Sequence, residues 1–176
     1  MHGLKSDQIK LKHSIELNQA IAAIFIQNKW HLTTAESCTG GLIAATCTDL
    51  AGSSAWFDRG FVTYSNDAKT EQLGVPPELI AAHGAVSEPV ARAMATGALA
   101  RSHAHMAVAV TGIAGPSGGS PDKPVGTVWL AWAWRTDSRV TAVQAEKREF
   151  PGDRAAVRQA TVHAALAGIL ERTSPD

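Results

Sequence analysis

The chain reads as an α/β protein, a three-layer α/β/α sandwich around a mixed, mostly parallel sheet in one domain spanning 1–176, with its core at about 14–172. Three observations support this. Short apolar strands alternate with helical segments along the chain, its 176 residues are enough for one full core, and no repeat or low-complexity linker divides it.

The elements follow in order. Leu17, Ile21, Ile24 and Phe25 fall at helical spacing in residues 14–29, with Ser14 available as a cap. Leu32 to Ala35 is a short strand, Gly41 to Leu50 a helix, and Trp56 to Tyr64 a strand rich in aromatic and β-branched residues. Asn66 caps a short helix ending at Gly74. Pro76-Pro77-Glu78 starts another that Gly84 stops. Ser87-Glu88-Pro89 opens a longer helix with Val90, Met94, Ala98 and Leu99 facing inward. His105 to Thr111 is a strand of small apolar residues, suited to a central place covered on both faces. Gly126 to Trp134 and Val140 to Phe150 are neighbouring strands joined by Arg135-Thr136-Asp137-Ser138, and Asp153 caps a last helix striped by Val157, Thr161, Ala164 and Ile169. In such a sheet, ligands sit beyond the carboxyl ends of the parallel strands.

Composition narrows the partners. Hydrophobic residues make up 45% and charged ones 18%, with 16 basic against 16 acidic side chains, so no general field draws the chain to nucleic acid or to a membrane surface. An anionic ligand must be held by a local site. No run of about 18 apolar residues occurs, and Met1 to Ser6 lacks the apolar core of a signal peptide, so a cytoplasmic location is expected. Cys38 and Cys47 are too few for a disulfide framework and lack zinc-ligand spacing.

Four segments gather polar groups where strands turn into helices or loops. Thr34-Ala35-Glu36-Ser37-Cys38-Thr39-Gly40-Gly41 places a hydroxyl and a thiol beside a helix start, whose free amides can bind an anion or an oxyanion. The same string also suits an ordinary capped turn. In Gly60 to Lys69, Tyr64 ends a strand and Lys69 lies in the first helical turn. There the positive end of the helix disfavours an ammonium, so Lys69 is either a base or a solvated surface side chain. Thr111-Gly112-Ile113-Ala114-Gly115-Pro116-Ser117-Gly118-Gly119 matches neither a dinucleotide fingerprint nor a P-loop, and it reads as a phosphate- or ribose-binding loop or as a surface loop. Phe150-Pro151-Gly152-Asp153-Arg154 offers a guanidinium fork suited to phosphate, with Arg158 one turn on. His103 and His105 alternate onto one face of a strand but have no third ligand at a suitable spacing. The five tryptophans, Trp129, Trp132 and Trp134 among them, suit a core or a subunit contact better than a base-stacking platform.

These segments, together with Ala51-Gly52-Ser53-Ser54, His83-Gly84-Ala85-Val86-Ser87 and Lys123-Pro124-Val125-Gly126-Thr127-Val128, resemble the CinA C-terminal-domain family from about residue 14 to residue 170, in the same order. The resemblance implies an α/β/α fold of anticodon-binding-domain-like form, here as a stand-alone chain. It implies an amidohydrolase that converts nicotinamide mononucleotide to nicotinate mononucleotide and ammonia in pyridine nucleotide salvage. By motif position it makes Ser37 the nucleophile, Lys69 the base and Tyr64 a hydroxyl that relays or orients the proton. Backbone amides around Thr39, Gly40 and Gly41 are the expected oxyanion donors. Asn66, Thr111, Gly112 and Gly115 are expected to hold the ribose or nicotinamide, and Arg154 the 5′-phosphate, with His83 a possible further contact. The scheme needs no metal and no cofactor. The expected partner is a small-molecule substrate, with no nucleic acid or membrane, and a homo-oligomer is expected. The alternatives are a nucleotide-binding or regulatory module of the same fold with little turnover, and a cysteine amidase using Cys38.

Overall fold

The structure, a computed structural model, describes residues 2–136 and 139–173. Its elements are α1 (His2–Asn28), β1 (Leu32–Glu36), α2 (Leu42–Thr48), a short 3₁₀ turn (Ser53–Ala55), β2 (Phe57–Val62), α3 (Asn66–Leu73), α4 (Pro77–His83), α5 (Glu88–Ala100), β3 (Met106–Gly112), β4 (Thr127–Thr136), β5 (Arg139–Glu149) and α6 (Arg154–Thr173). The strand order is β2-β1-β3-β4-β5. β1 pairs in parallel with both β2 and β3, whereas β4 is antiparallel to both β3 and β5. All strands but β4 therefore run the same way, which is the mixed, mostly parallel sheet expected, with β3 at its centre.

The two faces of the sheet differ in side-chain size. Met106, Val108 and Val110 of β3, with Val128, Leu130 and Trp132 of β4, pack under α1, α2 and α6. The alternate residues Ala107, Ala109, Ala131 and Ala133 face the α3, α4 and α5 layer. Alanine on that face lets α5 lie close across the sheet, and its Val90, Met94, Ala98 and Leu99 are buried there as expected. Gly97 lets α5 approach α3 closely, since an added Cβ would collide with the Leu73 carbonyl oxygen at the end of α3. Trp56 and Trp132 are core residues, and the Trp132 indole N–H donates to the Ala165 carbonyl of α6.

Two expectations about helix starts are corrected. α1 begins at His2, so Ser14 lies inside the helix instead of capping it; residues 4–13 are mostly strong helix formers without proline and extend the periodic segment toward the N-terminus. The cap of α3 is Ser65 and not Asn66: Ser65 keeps an extended backbone, and its hydroxyl accepts the Ala68 amide at 3.0 Å. Asn66 is the first helical residue. Asp153 does cap α6, accepting the Ala156 amide at 2.9 Å. Of the expected β4–β5 turn, Arg135 and Thr136 instead extend β4, pairing with Val140 and Arg139, while Asp137 and Ser138 lie outside the described residues.

Candidate active site

β1 lies between β2 and β3, so the carboxyl ends of three parallel strands open on one spot. The ladder continues just past the strand ends: the Ser37 amide donates to the Val110 carbonyl of β3 at 3.1 Å, and the Thr63 amide donates to the Glu36 carbonyl at 2.8 Å. The backbone around Ser37 is thereby held from both sides. A pocket of about 200 Å³ opens there, lined by Ser37, Cys38, Tyr64, Asn66, Lys69, Ala85, Val86, Thr111, Gly112, Ala114 and Arg154. A larger cavity of about 510 Å³ between α1, α2 and α6 holds none of these groups and is lined chiefly by side chains such as Ile15, Leu42, Leu50 and Val162.

At the centre of the pocket, Lys69 Nζ lies 3.1 Å from Ser37 Oγ. Lys69 is buried, and its other partners are the backbone carbonyls of Thr63 at 2.9 Å, Tyr64 at 3.4 Å and Ser65 at 3.4 Å. No carboxylate pairs with it among the described residues. Burial without a counter-charge lowers the Lys69 pKa from its ordinary 10.5, with the Cys38 thiol opposing weakly. A neutral amine has two N–H groups for the carbonyls and a lone pair that can accept the Ser37 hydroxyl. Lys69 is buried, so it is not a solvated surface side chain.

Cys38 sits beside this pair and is also buried. Burial raises its thiol pKa to about 11, outweighing the lowering by its own amide. At neutral pH almost none of it is thiolate, the reactive form.

The loop after Ser37 departs from expectation. Gly40 and Gly41 adopt left-handed backbone, with φ of 60° and 101°, which turns the chain into α2. Their amides are already used, Gly40 donating to the Ser37 carbonyl and Gly41 to Glu36 Oε2. The Thr39 hydroxyl donates to the same Glu36 oxygen at 2.6 Å. Thr39, Gly40 and Gly41 therefore shape the loop and do not line the pocket. The α2 N-terminus is occupied by the chain's own carboxylate, which is why it is not open to an external anion. The Thr39 amide has no acceptor among the described residues, and the Cys38 amide meets only its own thiol.

Arg154 and Tyr64 close one side of the pocket. The Arg154 guanidinium donates to the Gly115 carbonyl at 2.9 Å and to the Tyr64 hydroxyl at 3.0 Å. Gly115 thus contributes through its carbonyl, and the Tyr64 hydroxyl is directed to Arg154 and not to the dyad. The Tyr64 backbone carbonyl is what touches Lys69. The Thr111 hydroxyl donates to the Ala85 carbonyl, tying the β3 end to the loop before α5. Arg158 turns away from the expected phosphate position and donates to the Thr39 carbonyl at 2.9 Å. The His83 carbonyl accepts Lys123 outside the pocket. His105 stands at the amino end of β3, where its Nδ1 accepts the His31 amide at 3.0 Å, and the His103 amide donates to Asp58. Glu36, named above only within its motif, is the residue whose importance sequence reasoning missed.

Comparison with known proteins identifies the family. The family model described as the CinA C-terminal domain matches residues 14–173. "Nicotinamide-nucleotide amidohydrolase PncC" of Pseudomonas putida is 61% identical over 140 residues, covering 80% of this chain and 84% of that protein. The protein of the same name from Escherichia coli K12 is 59% identical over 135 residues, covering 76% and 79%. Among solved structures, the competence/damage inducible protein CihA from Agrobacterium tumefaciens superposes with a TM-score of 0.88 at 48% identity, covering 92% of this chain and 96% of that one. With the family model spanning its whole described sheet and the dyad, the chain belongs to the CinA C-terminal domain family.

Proposed function

We propose that the chain hydrolyses the carboxamide of nicotinamide mononucleotide to nicotinate mononucleotide and ammonia, and that Ser37 and Lys69 perform the chemistry. The observation that carries this reading is the 3.1 Å approach of Ser37 Oγ to a buried lysine that has no carboxylate partner. The PncC names of the close relatives support the choice of amide.

In this mechanism the neutral Lys69 amine removes the Ser37 hydroxyl proton as Oγ attacks the carboxamide carbon. The tetrahedral oxyanion forms against the Cys38 amide, beside Ser37 at the pocket wall. Collapse breaks the carbon–nitrogen bond, the Lys69 ammonium returns its proton to the leaving nitrogen, and ammonia departs from a nicotinoyl ester of Ser37. Water then attacks the ester with Lys69 again as base, releasing nicotinate mononucleotide and restoring Ser37. Asn66, Thr111 and Gly112 border the space left for the pyridine and ribose. Tyr64 acts by orienting Arg154, whose fork faces the phosphate. A binding module without turnover has no use for a desolvated amine held against a hydroxyl. Incubation with nicotinamide mononucleotide, read out as ammonia release, tests the reading directly; no release at any pH between 6 and about 10 would reject it.

Two expected results separate the roles. Arg154→Ala should raise KM for nicotinamide mononucleotide by about 30-fold, the loss of one charge-assisted contact, and should change kinetics far less with nicotinamide riboside, which has no phosphate. Equal losses on both substrates would remove Arg154 from phosphate binding. Cys38→Ala should keep wild-type kcat within about threefold, since the thiol is protonated and only a small buried group is lost. Complete inactivation of a folded Cys38→Ala protein would instead favour the thiol as nucleophile.

A further inference from the structure

We propose that Glu36 is a positioning residue for the nucleophile: its buried carboxylate gathers the Ser37–Gly41 loop and the first turn of α2 onto the end of β1, and so aims the Ser37 hydroxyl at Lys69. The proposal rests on the Ser37–Lys69 reading above. Glu36 is fully buried, the last residue of β1 and the immediate neighbour of Ser37. It has no cationic partner among the described residues. Its two oxygens are instead satisfied by five donors. Oε1 accepts the Thr34 hydroxyl at 3.3 Å and the Ala44 amide at 2.8 Å, while Oε2 accepts the Thr39 hydroxyl at 2.6 Å and the Gly41 and Ile43 amides at 3.1 and 3.0 Å.

Stability alone does not require this design. A helix of seven residues can be capped by a side chain at its own N-cap, yet Gly41 occupies that position and supplies none. The capping group comes from the strand before the loop, so one carboxylate fixes both ends of the five-residue turn that carries Ser37. Alternation along β1 places Leu32, Thr34 and Glu36 toward α2, and the next side chain, Ser37, toward α3 and Lys69. Fixing Glu36 against α2 therefore sets the direction of Ser37. Arg158 of α6 holds the turn from outside through the Thr39 carbonyl. With the Gly40 and Gly41 amides spent within the turn, the Cys38 amide is the one at the pocket wall that it leaves for an oxyanion.

The test is Glu36→Gln in the full chain. A carboxamide retains one acceptor oxygen and turns an NH₂ group toward N–H donors, so the turn loosens without a change in side-chain size. In the folded variant, kcat for nicotinamide mononucleotide should fall by about 100-fold, the cost of a displaced reacting group, with KM within about threefold of wild type. The rate at which a small alkyl fluorophosphonate labels Ser37 should fall in parallel; that reaction forms the Oγ–phosphorus bond as fluoride leaves and needs no nicotinamide site. A Glu36→Gln protein with lower thermal stability but wild-type kcat and labelling rate would make Glu36 a structural cap only, and so would a change confined to KM. Should Glu36→Gln fail to fold, Thr39→Val removes one of the five bonds, and a drop of about fivefold in both kcat and labelling rate at constant KM is expected. Unchanged rates in Thr39→Val would overturn the proposal. Wild-type protein that neither labels at Ser37 nor releases ammonia would defeat the underlying Ser37–Lys69 reading, whereas equal labelling of wild type and variant defeats the positioning role alone.

Discussion

Ser37→Ala is expected to lower kcat for nicotinamide mononucleotide by about 10⁴-fold or more, because a covalent route loses the atom that forms its intermediate. Substrate binding should survive. The change removes one hydroxyl whose only described partner is Lys69, while the backbone at residue 37 stays held by the hydrogen bond its amide donates to the Val110 carbonyl and the one its carbonyl accepts from the Gly40 amide. Calorimetric titration should give a Kd for nicotinamide mononucleotide within about threefold of the wild-type value, a difference below 1 kcal/mol. Turnover near the wild-type rate would exclude Ser37 as nucleophile.

Lys69 is the second large effect and has a pH signature. Lys69→Met keeps the length and removes the base, and Lys69→Arg keeps the charge but cannot accept a proton near neutrality; each should lower kcat by about 10² to 10⁴-fold. In wild type, kcat/KM should rise with pH through an apparent pKa below 10.5, the value burial displaces Lys69 from. The linkage to stability has a definite sign. With the folded-state pKa depressed, the unfolded chain binds more protons between that lowered value and 10.5, so folding becomes more favourable as pH rises across this window. Denaturant melts of wild type and Lys69→Met, compared from pH 7 to about 10.5, should therefore show wild type gaining on the variant. A rate profile flat over that range, together with a constant stability difference, would mean that Lys69 titrates normally and is not the base.

Much of this was legible in the sequence because local signals and tertiary demands agree. β3 was readable as central from its small apolar residues, and α4 and α5 from proline at their starts. Ser37 and Lys69 stand 32 positions apart, and they were placed at one edge by motif resemblance and by the rule for parallel strands; the 3.1 Å contact itself depends on β2 lying beside β1. The choice between Ser65 and Asn66 as cap was beyond local reading, because both residue types cap helices and only the backbone angles decide. Glu36 was hidden for a different reason. Its partners are mostly main-chain amides of residues 41, 43 and 44, which carry no side-chain signature, and they reach it only after two left-handed glycines turn the chain back. Helical spacing sets Arg158 one turn after Arg154 but does not reveal the Thr39 carbonyl that captures it.

The unequal faces of the sheet have a mechanical consequence. Ser37 is anchored through Glu36 to α2, which belongs to the layer packed on the large side chains, while Lys69 belongs to α3, in the layer packed on alanines. The dyad is thus a gauge of the registry between two separately packed slabs that share one sheet. A slip of about 1 Å of one slab over the other would leave every helix and both cores intact and still separate nucleophile from base, at a cost of about 100-fold in rate. Close packing of α5 on the alanine face resists that slip, so residues far from the pocket also help to hold the 3.1 Å distance.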